Sequence, residues 1–443
     1  MGGEGMSTTL GTIADGEFGL VDGPFGSNLP ASSYTEDGVP VIRGSNLSLG
    51  TTRFVAKDFV FVSHETANRL ARSVCKPMDI VFTKKGTLGQ TGFVPPDGMY
   101  GRYLLSSNQM KLTVDRRVAD PLFVYYFVSS PASTEKIIRD SEATGVPKTN
   151  VAYLRNFPID LPPLAEQRAI AHILGTLDDK IELNRRRNAT LEAMARALFK
   201  AWFVDFEPVR AKMESCWQRG QSLPSLPARL CDIFPDRLVD SELGKIPEGW
   251  SASSLGQEFS LTMGQSPPGD TYNESGDGVP FYQGRADFQE RFPKQRVYCT
   301  APTRLANKGD TLVSVRAPVG DINMASEDCA VGRGVAAVRH KSGSRPYTHQ
   351  SMKGLGDVFA SFEAEGTVFG SIGKSDFRAI RCIAPPDGVV LAFDSIVGKW
   401  GDQIERLTDE VRTLAALRDT LLPKLISGDL RVPDAMRQIE AVS

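Results

Sequence analysis

In two stretches of this 443-residue chain, a stripe of mainly apolar residues follows alternating steps of three and four positions. This spacing is typical of a helix that packs along one narrow stripe, which we call the seam. The first seam is formed by Leu174, Leu177, Ile181, Leu191, Leu198 and Trp202. The second is formed by Val397, Trp400, Ile404, Leu407, Leu414, Leu421 and Leu425. Pro162-Pro163 and Pro385-Pro386 precede the two stretches, and proline is tolerated only at or before the first turn of a helix. The pattern predicts two helices of roughly 40 residues, each about 60 Å long.

The second half of the chain repeats the first. Asp37-Gly-Val-Pro40 recurs as Asp277-Gly-Val-Pro280, an offset of 240 (277 − 37). Gly86-Thr-Leu-Gly89 corresponds to Ala317-Pro-Val-Gly320 at an offset of 231 (317 − 86). From Leu161-Pro-Pro163 and Ala384-Pro-Pro386 onward the offset stays at 223 (384 − 161). Two related domains that differ by loop deletions would give a shrinking offset, and two matched helices would give a constant one.

Matched seams favour two helices that pack on each other, antiparallel, with an approximate two-fold axis between the halves. The alternative is a pair of amphipathic helices that pack on separate cores. Asn184, Asn188 and Arg418 interrupt the seams, and such polar residues fix the register of paired helices. We expect Arg418 to lie near Asn184 or Ile181 of the other helix.

The regions before the helices carry mixed signals. Short β-type runs occur at 39–43, 80–82 and 109–114, with counterparts at 279–282, 311–315 and 335–339, and Asp120-Pro121 is typical of a capped helix start. The predicted fold class is α/β (α+β), with two similar globular domains and two long antiparallel coiled-coil helices. The predicted boundaries are 8–160 for the first domain, 161–206 for a central helical spacer, 207–243 for an ordered linker, 244–386 for the second domain and 387–430 for a C-terminal helical spacer.

Composition removes several classes of protein. The formal net charge of −2 argues against strong non-specific binding to nucleic acid, although a local basic patch is compatible with it. The six cysteines form no CxxC pair and the four histidines no HxxxH pair, so we expect no metal site. No run of 18 apolar residues occurs, and the first residues lack the features of a signal peptide, so we expect a cytoplasmic protein.

Motifs for catalysis are missing from the sequence. Gly370-Ser-Ile-Gly-Lys-Ser375 resembles a phosphate-binding loop, but position 368, where that loop needs glycine, is Val368. Ser266-Pro-Pro268 lacks the following aromatic residue that an amino-methyltransferase uses to hold a flipped base, and no Gly-x-Ser-x-Gly elbow occurs. The sequence therefore predicts a protein that is not an enzyme.

The sequence resembles the specificity subunits of type I restriction–modification systems. The residues that carry the resemblance run from Leu161 to Ile170, continue through Leu177–Ile181 and Leu191–Ala195, and end at Phe199–Phe206. The segment Asp240–Trp250 and the closing Leu421–Leu430 also resemble the family, whereas Asp387-Gly-Val-Val390 departs from the Leu-Ala-Glu-Gln start of the first helix.

The resemblance implies a DNA-binding subunit of a restriction system. It implies two target recognition domains, each reading one half of a bipartite site in double-stranded DNA, and spacer helices that set the gap and bind two methylation subunits. Restriction subunits would join for cleavage, and S-adenosylmethionine, ATP and magnesium would belong to these partners. The alternatives are a coiled-coil scaffold whose two domains bind proteins, and a stand-alone modification enzyme.

Arginine and lysine bind guanine, and asparagine and glutamine bind adenine, in the major groove. The candidate DNA-binding residues are Arg43, Lys84, Lys85, Arg102, Asn108, Gln109 and Lys148 in the first domain, and Gln283, Arg285, Arg316, Arg333 and Lys374 in the second. Each of them is otherwise an ordinary solvated side chain. The run Arg185-Arg186-Arg187 is interpreted as a solvated helix face, with contact to a partner or to phosphate as the second reading.

Overall fold

The computed structural model describes residues 6–142, 148–222, 227–316, 318–364 and 370–440. Ala317 of the second repeat motif, Val368 and the first five residues lie outside the described residues. The chain forms two compact units, one of residues 1–185 and 408–443, the other of residues 186–407. Neither long helix, nor any other helix in the described ranges, is long and apolar enough to cross a membrane.

The first unit contains eleven described strands and most of the short helices of the first half. The strands are β1 (Met6–Thr9), β2 (Leu20–Asp22), β3 (Tyr34–Thr35), β4 (Val39–Ile42), β5 (Val60–Val62), β6 (Val74–Cys75), β7 (Ile80–Thr83), β8 (Thr91–Phe93), β9 (Tyr103–Leu105), β10 (Gln109–Leu112) and β11 (Pro158–Leu161). The helices are α1 (His64–Arg69), α2 (Pro121–Val128), α3 (Pro131–Glu142), α4 (Val151–Arg155) and the first half of α5 (Leu164–Phe203).

The second unit begins within α5 and repeats this order after a short insertion. Its helices are α6 (Glu207–Met213), α7 (Leu255–Glu258), α8 (Arg345–Lys353), α9 (Gly356–Ala364), α10 (Lys374–Ala379) and the first half of α11 (Asp387–Ser427). Its strands are β12 (Leu238–Ser241), β13 (Gly244–Pro247), β14 (Ser251–Ser254), β15 (Phe259–Met263), β16 (Tyr272–Asn273), β17 (Val279–Tyr282), β18 (Tyr298–Cys299), β19 (Leu305–Ala306), β20 (Thr311–Val315), β21 (Val319–Met324), β22 (Cys329–Val331), β23 (Val335–His340) and β24 (Arg381–Ala384). The end of α11 and α12 (Val432–Glu440) return to the first unit.

The sheets of the two units have the same topology. A four-stranded sheet has the order β2-β10-β7-β8 in the first unit and β15-β23-β20-β21 in the second. A five-stranded sheet has the order β3-β5-β4-β9-β6 and β16-β18-β17-β22-β19, with β4–β9 and β17–β22 as its parallel pairs. A two-stranded pair joins β1 to β11 and β14 to β24. The predicted internal repeat and α/β fold class are confirmed.

The last glycine of the repeated four-residue motif has the same role in both units. Gly89 and Gly320 adopt positive φ angles of 82° and 95°, a region that side chains disfavour. A Cβ atom at Gly89 would lie 2.8 Å from Thr134 of α3, and one at Gly320 would lie 2.5 Å from Phe359 of α9. Glycine at this position therefore lets a helix pack closely against the backbone at the start of β21 and just before β8.

The long helices contribute to the core of both units. In the first unit Leu174 and Leu177 of α5 are buried in one cluster with Leu421 and Leu425 of α11. In the second unit Leu198 and Trp202 are buried with Val397, and Trp400 packs against that cluster. Leu191 packs against Ile404 in a small cluster of its own. In each unit the early part of one helix packs beside the late part of the other, so the helices are antiparallel, as predicted.

The segment between α5 and β14 is part of the second unit's core. Trp217, Leu230 and Phe234 are buried in the same cluster as Trp202. The ring of Trp202 meets Phe234 edge-on, with 5.1 Å between the ring centroids. Burial of these aromatic side chains gives the segment predicted as an ordered linker a stable position within that unit.

Candidate nucleic-acid interface

Most candidate residues of the first domain come together at one edge of the four-stranded sheet. Lys84 follows β7, and its backbone N–H donates to the carbonyl of Asn108 over 2.7 Å. The carbonyl of Lys84 accepts from the N–H of Thr149 over 3.1 Å, and Lys85 forms an isolated antiparallel bridge with Lys148. Three backbone segments that are distant in sequence therefore place Lys85, Asn108 and Lys148 on one exposed surface, which we call the first basic surface.

Three other candidates lie beneath or beside this surface and have partners within the protein. Lys84 pairs with Asp22, with 2.9 Å between Nζ and Oδ1. Gln109 is buried and accepts a hydrogen bond from the hydroxyl of Ser106. Arg43 donates to the carbonyl of Asp58 over 2.6 Å. These contacts hold the strand ends that carry the exposed residues.

Arg102 is not brought to this surface. It precedes β9, whereas Arg43 follows β4, and the two strands are parallel, so the two residues lie at opposite ends of the five-stranded sheet. Its guanidinium donates to Asn68 over 2.8 Å and contacts the ring of His64 at 2.9 Å. Sequence spacing could not reveal this, because the parallel register is a long-range feature.

The second domain brings all five of its candidates to the corresponding edge. The N–H of Val315 donates to Gly334 over 2.9 Å, and that of Gly334 donates to Gln283 over 3.1 Å. Arg316 bridges to Ser371, three residues before Lys374, which begins α10. The second basic surface consists of the exposed residues Gln283, Arg285, Arg316, Arg333 and Lys374.

Two members of the second basic surface have polar partners close by. Arg285 pairs with Asp321 at 3.0 Å, although more than a third of each side chain is exposed. Arg333 donates to the hydroxyl of Ser266 over 3.3 Å. Such exposed pairs are weak and exchange readily for contacts to a ligand.

The same backbone hydrogen bonds occur at equivalent positions of the two surfaces. Thr149 to Lys84 in the first unit corresponds to Ile372 to Val315 in the second, at 3.1 Å in both. Lys85 is thus equivalent to Arg316, and Lys148 is equivalent to Ser371. The two surfaces have one scaffold but different side chains, so they are suited to bind different base sequences.

Sequence reasoning missed three residues at these edges. Gln90 is one of them. Its Oε1 lies 3.6 Å from the point where a side chain at Gly44 would have its Cβ atom, beside Gln109. Ser371 is another, and its equivalence to Lys148 at the constant offset of 223 could have identified it. Phe25 is the third: it is 76% exposed and lies two residues after Gly23, whose N–H donates to Gln109 over 2.8 Å. A phenylalanine that is so exposed at a polar edge can contact a thymine methyl group.

A buried ion pair joins the two long helices in the first unit. Arg418 of α11 donates to Oδ1 of Asp178 of α5 over 2.8 Å, and both side chains are less than a tenth exposed. The other carboxylate oxygen accepts from the hydroxyl of Tyr126 over 2.6 Å. Burial, together with the charge of Asp178, raises the pKa of Tyr126 well above its usual value. Arg418 lies in the seam, as expected, and the carboxylate that it binds is one turn before Ile181.

The described residues hold no group of three or more histidine, cysteine or acidic side chains that could bind a metal ion. His349 is the most deeply buried histidine, and neither ring nitrogen has a hydrogen-bond partner among the described residues. Burial, with the nearby charges of Arg291, Lys353 and Arg196, lowers the pKa of His349 well below its usual value. Burial therefore favours the neutral form of the His349 imidazole.

Comparison with known proteins shows a similarity to specificity subunits of type I restriction enzymes. Residues 30–193 match the family described as "Type I restriction modification DNA specificity domain". The MjaX specificity subunit of a type I restriction enzyme from Methanocaldococcus jannaschii is 30% identical over 295 residues, which cover 64% of this chain and 61% of that protein. The HindI specificity subunit of Haemophilus influenzae is 25% identical over 400 residues, covering 78% of this chain and 87% of the relative. This chain is therefore similar to the specificity subunits of type I restriction enzymes.

The resemblance predicted from the helical motifs is therefore confirmed. The fold of the family is also found in the crystal structure of a type I restriction–modification S subunit from M. genitalium, with a TM-score of 0.58, 16% identity and coverage of 95% of this chain and 96% of that one. The family match begins before β3 and ends about three quarters of the way along α5, so it includes both the first basic surface and the start of the helix pair.

Proposed function

We propose that this type I specificity subunit reads a bipartite site in double-stranded DNA, one half with each basic surface. The observation that carries the proposal is the equivalence of Lys85 and Arg316, two exposed cations held at the same point of a repeated scaffold. Two such surfaces on one chain suit a target of two separate half-sites. The names of the relatives, all type I specificity subunits, support the same function.

The chemistry of base reading follows from the exposed groups. Lys85, Arg316 and Lys374 offer charged donors to the O6 and N7 atoms of guanine, and Asn108 and Gln283 offer the paired donor and acceptor that adenine requires. Arg333, beside Ser266, is free to turn toward phosphate or base. Because the net charge of the chain is only −2, most of the electrostatic attraction to phosphate comes from partner subunits.

The long helices set the distance between the half-sites in this proposal. Both helices run without interruption from one unit into the other, and each is about 60 Å long at 1.5 Å per residue. At about 34–36 Å per turn of DNA, a length of about 60 Å corresponds to roughly one and a half to two turns.

The proposed partners are two methylation subunits, with restriction subunits added for cleavage. Exposed apolar residues on the long helices, Leu183 and Met194 on α5 and Leu391 on α11, are candidates for these contacts. In this proposal the chain itself carries out no catalysis. S-adenosylmethionine, ATP and magnesium bind to the partner subunits, and the complex binds DNA in the cytoplasm.

The test is to express the chain with its methylation subunit in a host and to map N6-methyladenine by long-read sequencing. The expected result is one new methylated motif of two fixed halves separated by a gap of constant length. Exchange of residues 8–155 for those of another family member should change one half only. Absence of new methylation would support a protein-binding scaffold, and a change in both halves would contradict the division of labour between the units.

A further inference from the structure

Arg53 and Arg291 occupy the same position in the two recognition domains. The carbonyl of Arg53 accepts a hydrogen bond of 2.7 Å from Phe93, the last residue of β8. The carbonyl of Arg291 accepts one of 2.9 Å from Met324, the last residue of the equivalent strand β21. The two arginines therefore begin from matching backbone sites, and both side chains turn to the long helix α5.

In the first unit Arg53 is bound to the first half of α5. Its Nη2 donates to Asp179, and its Nε lies 3.7 Å from Oδ2 of Asp178. Asp178 is the residue that also binds Arg418 of α11. The neighbouring Thr52 accepts a hydrogen bond of 3.2 Å from Arg185 of α5 through its hydroxyl oxygen. One loop of the recognition domain is thus tied directly to α5, and it is linked to α11 through Asp178.

In the second unit Arg291 makes the same kind of contact with a different carboxylate. Its Nη1 lies 2.6 Å from Oε1 of Glu192 on α5, and both side chains are largely buried. Lys353 of α8 approaches the other oxygen of Glu192 at 3.4 Å. The counterpart of Asp178 at the offset of 223 is Gly401, whose Cβ position lies 4.0 Å from Nη2 of Arg291. Because Gly401 offers no carboxylate on α11, the guanidinium of Arg291 pairs with Glu192 of α5 instead.

We infer that Arg53 and Arg291 are positioning residues that hold the two recognition domains on α5 and thereby fix the length of the unread gap in the DNA target. The inference rests on the proposed function. Neither arginine belongs to a basic surface, and only 22% and 10% of their side chains are exposed, so neither is placed to read bases. A domain that slides on its helix by about 3.4 Å moves its surface by one base pair. Loss of an anchor should therefore relax the gap and leave the letters unchanged.

The experiment compares Arg53→Gln and Arg291→Gln with the unaltered chain, each co-expressed with the methylation subunit. N6-methyladenine is mapped at sites that have the correct letters and a gap one base pair shorter, equal or longer. For each arginine variant we expect at least a tenfold rise in the ratio of off-gap to correct-gap methylation. Arg53→Lys and Arg291→Lys, which keep the charge but lose the planar fork, should give a smaller rise.

Matched controls remove an ion pair that lies wholly within a recognition domain. Arg117→Gln breaks the pair with Asp115 at 2.7 Å, and Arg339→Gln breaks the pair with Asp310 at 2.6 Å. Both controls should keep the single gap. Glu192→Gln should reproduce the effect of Arg291→Gln, although it also removes the pair with Lys353. The double variant should add little to Glu192→Gln, since both changes remove the contact between Arg291 and Glu192.

The outcomes separate the inference from the proposed function. If the unaltered chain directs no bipartite methylation, the proposed function fails and the inference fails with it. If the unaltered chain does direct bipartite methylation, three results in the glutamine and lysine variants would overturn the inference alone. These results are one strict gap, a change in the letters, or a loss of methylation at the correct gap without any gain at off-gap sites. Off-gap methylation in the glutamine or lysine variants, with unchanged letters and unaffected controls, supports it.

Discussion

Arg418 of the last long helix donates to Asp178 of the central helix over 2.8 Å, across 240 residues of sequence. The pair is buried, and Asp178 also accepts a hydrogen bond from the hydroxyl of Tyr126. The geometry is favourable for an ion pair in a core, because both oxygens of the carboxylate have donors.

Replacing Arg418 with alanine should reduce the free energy of unfolding by about 3–5 kcal/mol, because it leaves the buried carboxylate of Asp178 without its main cation. Denaturant unfolding of the purified chain measures the loss. The control is Arg412→Ala on the same helix, which removes an exposed pair with Asp409 and should have little effect. A loss below about 1 kcal/mol for Arg418→Ala would contradict the assigned role.

Replacing Asn184 or Gln167 of α5 with leucine should change the free energy of unfolding in opposite directions. Both are buried, but the side-chain amide of Asn184 has no hydrogen-bond partner among the described residues. Gln167 accepts from the N–H of Asp120 over 2.9 Å and donates to the carbonyl of Pro162 over 2.8 Å. Asn184→Leu should therefore raise the free energy of unfolding by about 1–3 kcal/mol, and Gln167→Leu should lower it by at least as much. Equal effects of the two changes in the same unfolding assay would show that their burial, rather than their hydrogen bonding, decides stability.

His349 predicts a loss of stability in mild acid. Burial lowers its pKa in the folded protein, so below about pH 6.5 the unfolded chain binds a proton that the folded chain does not. The free energy of unfolding should then fall as the pH falls below 6.5, by up to about 1.4 kcal/mol per pH unit, until the lowered pKa is reached. Unfolding measured at pH 7.5 and pH 5 tests this.

The matched variant is His349→Leu, which should flatten this pH dependence. It should not abolish it, since burial also lowers the pKa of His340 and that residue acts in the same direction. If the leucine variant and the unaltered chain lose stability equally between the two pH values, His349 does not carry the effect.

Lys85 and Arg316 predict paired changes in specificity. Each alanine variant should relax or weaken the reading of one half of the methylated motif and leave the other half intact, because the two residues occupy equivalent points of separate surfaces. The expected loss of discrimination is about 1–3 kcal/mol, or roughly tenfold to a hundredfold at one position. Methylome mapping measures it. Arg117→Ala and Arg339→Ala remove cations near the far ends of β10 and β23 and should leave both halves unchanged. Loss of the same half-site by Lys85→Ala and Arg316→Ala would rule out the assignment.

Local pattern was enough to predict the elements that build the scaffold. The apolar seam predicted α5 and α11 because burial repeats with the helix turn, and Asp120 was recognised as a cap, with its carboxylate accepting from Leu122 and Phe123 at 3.0 Å. The strand cores at 39–42, 80–83 and 311–315 followed from their β-branched runs.

Contacts between distant segments could not be predicted in this way. Asp178 lies beside the seam rather than in it, so its role depends on the reach of Arg418 and Tyr126. The bridge between Lys85 and Lys148 joins segments that no local pattern relates, and the separation of Arg102 depends on a parallel strand register. Whether any candidate touches DNA stays a prediction.

The packing of α11 and α12 on the first unit also constrains the order in which the protein folds during synthesis. Leu421, Leu425 and Ala435 complete the core that Leu174 and Leu177 begin, and the whole of residues 186–407 is synthesised in between. At about 5–20 residues per second, the ribosome needs roughly ten to forty seconds to supply that stretch. The amino-terminal unit therefore cannot close its apolar core until the residues of α11 and α12 that complete it have been made. Until then, Leu174 and Leu177 remain exposed to proteases and chaperones.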